Sequence, residues 1–171
     1  MGTAAAPVSH RTWAIDAARS DVTFTAWVLG RLAVRGGFPS AASGAIVLAD
    51  DTLSGAATVA AATIDTGIGR RDRHLRSAEF LDAARHDTIA MRVEGITRSA
   101  GVQRATAVLT IKGVTTTVPV EIELTGPDAS LTAIVRGRLR RHDVHIVPSW
   151  LANLVVDEDV VFEARIVTGA G

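Results

Sequence analysis

Apolar and polar residues alternate with a period of two along most of this chain. Val22, Phe24, Ala26 and Val28 interleave with Thr23, Thr25 and Trp27. Val118, Val120, Ile122 and Leu124 interleave with Pro119, Glu121 and Glu123. Val160, Phe162, Ala164 and Ile166 interleave with Val161, Glu163 and Arg165. Successive side chains of a strand point to opposite faces, so each segment reads as a strand with one buried side. Weaker strands are expected near 44–50, 55–64, 88–97, 103–112 and 130–141. Turn signals separate several of them, at Asp50-Asp51, Ser99-Ala100-Gly101 and Gly126-Pro127-Asp128. About eight antiparallel strands suggest a closed barrel or a sandwich.

One segment departs from this period. Residues 70–83 read RRDRHLRSAEFLDA, with apolar residues too sparse for a strand and propensities that suit a helix. Asp72 reads as its N-cap, because a carboxylate there would accept a first-turn amide N–H. A shorter helical turn is expected at Ser149-Trp150-Leu151. No linker and no solenoid repeat interrupts the pattern. The chain therefore reads as a disordered arm over 1–11 followed by one domain over 12–171.

Composition narrows the function classes. Hydrophobic residues make up 47% and charged residues 21% of the 171, which excludes a disordered chain. Eighteen basic side chains balance eighteen acidic ones, so a nucleic-acid partner held by overall charge is not expected. The absence of cysteine excludes disulfides, thiolate catalysis and zinc–thiolate sites. Met1-Gly2-Thr3-Ala4-Ala5-Ala6-Pro7 has neither the basic start nor the apolar run of a signal peptide. No stretch approaches the roughly 20 apolar residues of a membrane helix. The expectation is a cytoplasmic protein, or a periplasmic or secreted one if the N-terminus was trimmed.

Motifs of catalysis are missing. There is no phosphate-binding glycine loop, no G-x-S-x-G elbow and no H-E-x-x-H. On a strand His142 and His145 would point to opposite faces and could not share an ion, whereas on a turn they could; no metal site is expected there. Arg136, Arg138 and Arg140 share one face of a strand and read as a solvated outer ridge. Arg70, Arg71, Arg73 and Arg76 crowd the helical segment, where like charges repel unless an anion compensates. Asp16 and Ser20 read as turn and capping residues.

The expected inner face is short of bulk. Residues 55–64 are Gly, Ala, Ala, Thr, Val, Ala, Ala, Ala, Thr and Ile, and one face of 105–111 is Ala105, Ala107, Leu109 and Ile111. The chain has four Phe, three Trp and no Tyr with which to fill a barrel. An eight-stranded barrel just accommodates medium and large side chains, so small ones leave a void that costs about 24 cal/mol per Å3. Such a sheet either flattens or holds an apolar guest.

Three segments in order resemble the YceI family of polyisoprenoid- or lipid-binding proteins. The first is Trp13-x-Ile15-Asp16-x-x-x-Ser20 leading to Phe24 and then Gly37-Phe38. The second is Ile64-Asp65-Thr66-Gly67, then Arg71-Asp72-x-His74-Leu75-Arg76-Ser77-x-x-Phe80-Leu81-Asp82. The third is Leu109-Thr110-Ile111-Lys112-Gly113-Val114-Thr115, with Arg141-x-Asp143 following as a late element. The likeness runs over roughly residues 12–167. It departs from the family at His86-Asp87, where a Tyr-Pro pair is usual, and at Asp143-Val144-His145, where Asp-Phe-Gly is usual.

The resemblance implies an all-β fold: an eight-stranded antiparallel, lipocalin-like barrel with one inserted helix. It also implies a long apolar tunnel for a polyisoprenoid, quinone-like or fatty-acyl molecule, bound without chemistry and without another cofactor. Candidate lining residues are Phe24, Val59, Leu75, Phe80, Met91, Leu109, Val120 and Phe162, with Arg71 or His74 for a head group. The rival readings are an isomerase or hydrolase using His74 with Asp72 or His145 with Asp143, and a stress-response interaction module with a filled interior. Homodimerisation is compatible with all three.

Overall fold

The computed structural model describes residues 10–39, 42–99, 101–127, 129–146 and 155–169. Its strands are β1 (Arg11–Ala14), β2 (Asp21–Val28), β3 (Leu32–Pro39), β4 (Ser43–Ala49) and β5 (Thr52–Ala60). The α-helix α1 (Gly69–Arg76) then precedes β6 (Thr88–Thr97), β7 (Val102–Ile111), β8 (Val114–Thr125), β9 (Thr132–Arg140) and β10 (Val156–Val167). All ten strands join one sheet in the order β1-β4-β5-β6-β7-β8-β9-β10-β2-β3. Every neighbouring pair is antiparallel.

The eight expected strands correspond to β2, β4, β5, β6, β7, β8, β9 and β10. The barrel expectation is corrected in number and in closure, because β1 and β3 are added and the ten-stranded sheet curls into a half-barrel. β1 has only four residues, too few for a visible alternation. β3 is interrupted by Gly36-Gly37 and ends in Pro39, which is tolerated because it lies at the end of the strand order. After β1 the chain turns through 16–20, where Ile15 bridges Thr168 and ties β1 to the far end of β10.

Tight hairpins join several strands. Asp50 and Asp51, between β4 and β5, have φ of 47° and 64°, and Lys112 and Gly113, between β7 and β8, have 52° and 72°. Positive φ at both central residues matches the twist of the flanking strands. Thus Asp50-Asp51 is the expected turn. The expected turn at Ser149-Trp150-Leu151 lies outside the described residues.

The helical segment is shorter than expected and capped differently. Ile68 occupies the N-cap, and its side chain makes no capping bond. Asp72 lies inside α1 and is buried, so its expected capping role is corrected. Its Oδ1 instead accepts the Thr66 amide N–H at 2.9 Å and the Thr66 hydroxyl. The helix stops at Ser77, whose amide N–H reaches His74 O, and turns through 77–87 then deliver Phe80 and Leu81. This long β5–β6 connection spans one end of the sheet. It meets β3 at the Gly37–Asp65 bridge and the β7–β8 turn where Lys112 Nζ donates to Ala78 O at 2.9 Å.

The opposite end of the half-barrel is closed by packing. Trp13, Ile46, Leu53, Ile96, Ile122 and Leu131 are buried there in one apolar cluster. Ser20 and Thr168 seal the seam beside them: Val167 donates its amide N–H to Ser20 Oγ at 2.9 Å, and Leu131 donates to Thr168 Oγ1 at 2.8 Å. Both hydroxyls are buried and satisfied, so they stabilise the seam without a desolvation penalty.

Candidate functional site

Between the packed end and the helical connection lies a cavity of about 410 Å3. Its wall is the inner face of the curved sheet, which is why the lining repeats every second residue. Val22, Phe24, Ala26 and Val28 come from β2, Ala57 and Val59 from β5, Ile89 and Met91 from β6, and Leu109 and Ile111 from β7. Val156, Val160, Phe162, Ala164 and Ile166 come from β10. Ile64, Leu75, Phe80 and Leu81 close it from the helical connection. A smaller void of about 60 Å3 towards the packed end shares Ala57, Met91 and Ile166 with it.

The room comes from small side chains and from where two phenyl rings go. Gly55 and Ala57 supply little bulk on β5. A Cβ at Gly36 would sit 2.7 Å from Phe24 Cζ, and a Cβ at Gly137 would sit 2.6 Å from Phe162 Cζ. Each ring therefore lies over a glycine on the neighbouring strand, against the wall and out of the central space. Such aromatic covering of a strand glycine replaces the packing that the glycine lacks.

Nine of the expected binding residues line this cavity: Phe24, Val59, Leu75, Phe80, Met91, Leu109, Phe162, Arg71 and His74. Val120 does not, which corrects its placement as a lining residue. It is buried at 3% exposure, and its Cγ1 lies 3.1 Å from the position of a Gly137 Cβ, where the Phe162 ring covers the same spot. Val120 is a core residue behind that ring. Two sets among the lining residues missed by the sequence reading have a plain cause. Val22, Ala26 and Val28 share the period of Phe24, which already marked them. Val34 and Phe38 belong to the unrecognised β3.

Arg71, His74 and Arg141 are the polar residues of the wall among the described residues. Arg71 Nε donates to Thr66 Oγ1 at 2.7 Å and Nη2 to Thr66 O at 2.8 Å. The Thr66 hydroxyl in turn donates a hydrogen bond to Asp72 Oδ1, so Arg71, Thr66 and Asp72 form one chain of bonds. Nη1 of Arg71 has no protein partner among the described residues. His74 Nε2 lies 2.8 Å from Glu79 Oε2, and the His74 ring stands edge-on to Phe80 at 4.9 Å between centroids. Its expected partner Asp72 is engaged with Thr66 instead.

Arg141 is buried in a short 3-10 turn, Arg141–Val144, and fans out to backbone carbonyls. Nε donates to Asp157 O at 2.8 Å, Nη1 to Ile146 O at 2.9 Å and Nη2 to Val156 O at 2.8 Å. Burial lowers its pKa, partly offset by Glu158 and Asp157. Its role is to hold the chain around the 3-10 turn against the start of β10. At the departures from the family pattern, Val144 is fully buried and His145 sits at φ 54°, a conformation that favours glycine.

The remaining polar candidates resolve into structure. The β9 ridge is a charge ladder: Arg136 meets Glu163 at 2.7 Å, Arg138 meets Asp159 at 3.2 Å and Arg140 meets Glu158 at 2.9 Å. The Glu163 carboxylate raises the Arg136 pKa. His142 Nδ1 also lies 3.4 Å from Glu158. Among the described residues no three His, Asp or Glu side chains gather to hold a metal ion. Among them, no helix is long and apolar enough to cross a membrane.

A family model described as the YceI-like domain matches residues 13–168. Protein YceI of Escherichia coli O157:H7 is 33% identical over 69 residues, covering 40% of this chain and 36% of the relative. The chain thus matches little more than a third of that relative's length. Among solved structures, Burkholderia cenocepacia BcnA superposes with a TM-score of 0.78 at 20% identity, over 90% of this chain and 98% of that one. A polyisoprenoid binding domain from Saccharophagus degradans, implicated in plant cell wall breakdown, superposes with a TM-score of 0.75 at 16% identity, over 93% and 98%. At these identities the superpositions establish the shared fold.

Proposed function

This chain belongs to the YceI-like domain family, and from that premise we propose that it binds a long-chain amphiphile in its cavity and sequesters or carries it without turnover. The amphiphile is a polyisoprenoid, quinone-like or fatty-acyl molecule. One observation carries the reading: an apolar space of about 410 Å3 lies inside the sheet. That volume falls within the range of small-molecule sites. The apolar wall facing this space lacks partner atoms, and a guest chain would supply them.

Each buried methylene of the guest contributes about 0.8 kcal/mol, so about ten of them give about 8 kcal/mol before ordering costs. Few polar contacts are needed. The free Nη1 of Arg71, beside His74, suits an oxygen-bearing head group, with the tail running towards Ala57 and Met91. The likeness in fold to the polyisoprenoid binding domain supports the same ligand class.

The test is denaturing extraction of the purified protein followed by mass spectrometry. A lipid at near one-to-one stoichiometry is the expected result. No lipid, together with no thermal stabilisation by added polyprenyl or fatty-acyl compounds, would overturn the reading.

A further inference from the structure

The mouth of the cavity carries two features that the fold does not need. The first is an exposed apolar track. Ala26 pairs with Val34 and Val28 with Leu32 across the β2–β3 hairpin, so the cavity-facing period runs outward from Ala26 and Val34 to Val28 and Leu32. It ends at Leu29 on the turn, and both leucines are 67% exposed. Leu29 is also in the left-handed conformation, at φ 54° with Gly30 at 63°, in a turn closed by Arg31 N–H to Val28 O. A turn of this geometry prefers Asn, Asp or Gly at that position. Here it holds a leucine and aims it at solvent. The turn is anchored, because Leu29 N–H donates to Val155 O at 2.7 Å and Gly30 N–H to Asp157 Oδ1 at 3.2 Å.

The second feature is charge. Arg31 and Arg35 on the hairpin and Arg70 and Arg73 on α1 are exposed, and none has a side-chain partner among the described residues. The arginines of β9 are all paired, as are Arg19, Arg85, Arg92 and Arg104. Asp65 bridges Gly37 antiparallel and Thr66 lies against Gly36, so the chain leaves β3 in the direction of the β2–β3 turn, with the half-exposed Ile68 and the start of α1 next in sequence. The carboxylates nearby point at backbone donors and not at these arginines: Asp157 accepts from the Gly30 amide, Asp65 from the Gly67 amide, and Asp72 from Thr66. Four arginines without a side-chain partner among the described residues thus lie on two elements, the β2–β3 hairpin and α1, that both line the cavity.

We propose that the β2–β3 turn and the start of α1 form a membrane-docking surface for an anionic lipid bilayer, with Leu29 and Leu32 entering the interface and Arg31, Arg35, Arg70 and Arg73 meeting lipid phosphates. Exposed apolar anchors flanked by arginine are the composition that binds such an interface. The docked orientation sets the apolar track against the acyl region, so a guest passes between bilayer and cavity without crossing water. The purpose of the surface rests on the carrier reading above, but its detection does not.

The experiment is co-sedimentation with vesicles of phosphatidylglycerol and phosphatidylcholine in equal parts, against vesicles of phosphatidylcholine alone. Binding to the anionic vesicles is expected, falling as salt rises. The Leu29→Ser/Leu32→Ser variant is expected to bind about tenfold more weakly. Val102→Ser, at an exposed apolar site near the other end of the sheet, serves as the control and is expected to bind as the unaltered chain does. No binding to anionic vesicles, or equal binding by the double variant, would overturn the proposal. So would sedimentation velocity showing a dimer that the double variant dissociates, since a second copy would then own the surface. Lipid extraction from the same preparations separates the two ideas: a loaded cavity with no vesicle binding removes docking and leaves carriage standing.

Discussion

Phe24 and Phe162 are paired directly across β2 and β10, yet their rings lean to opposite sides, Phe24 over Gly36 and Phe162 over Gly137. One register row thus runs Gly36, Phe24, Phe162, Gly137, Val120. The two glycines set the width of the cavity.

Gly137→Ala is expected to drive the Phe162 ring off the wall and into the cavity. The cost is about 1–3 kcal/mol of overpacking, with less lipid retained per protein. Gly36→Ala is expected to cost more, because a Cβ there also meets Asp65 O at 2.9 Å. Thermal unfolding and quantitative lipid extraction of both variants check the order. Unchanged occupancy in Gly137→Ala would show that the ring does not bound the guest.

Ala57 and Val120 separate lining from core. Ala57→Phe fills the point where the large and small voids meet and is expected to abolish lipid retention while the protein stays folded. Val120→Ala is expected to lose about 2 kcal/mol of stability and to keep its lipid. Chemical denaturation beside mass spectrometry distinguishes the two outcomes.

Arg141 acts on the fold. Arg141→Met leaves three backbone carbonyls without their donor and is expected to cost at least about 3 kcal/mol. Arg141→Lys is expected to recover only part, since one ammonium lacks the planar fork of guanidinium. The readout is the denaturant midpoint of each variant.

Asp16 gives the seam a pH dependence. The hydrogen bond from Arg19 Nε at 2.7 Å holds its carboxyl below the ordinary value of 3.8. A lowered folded-state pKa means that the ionised form favours the native chain. Its contribution is present above about pH 4 and fades as the pH falls through the depressed value. Asp16→Asn is expected to be less stable than the unaltered protein at pH 7, with the gap closing in acid. A gap that persists at pH 2 would place the effect elsewhere.

Much of this architecture is legible in the residue order, for a physical reason. Long strands with one buried face must alternate, so β2, β8 and β10 are plain in the sequence. The scarcity of bulk along 55–64 likewise narrows the choice to a flattened sheet or one with room inside, and the structure has the room. What stays hidden depends on partners distant in the chain. β3 looks unlike a strand because Gly36 and Gly37 exist to let Phe24, Thr66 and the Val22 carbonyl come close. Asp72 is the exception, misread as a cap although its partner Thr66 stands only six residues earlier. Val120 and Leu109 share one alternating, apolar character, and only the Phe162 ring decides that one is core and the other wall.

β10 carries a further consequence. It pairs with β9 on one side and with β2 on the other, joining residues more than a hundred positions apart. During synthesis at about 5–20 residues per second, β2 waits several seconds for this partner to emerge. Until then the greasy inner faces of the earlier strands have nothing to close against. Exposed apolar faces and unpaired edges leave nascent chains of this topology open to aggregation until the last strand docks.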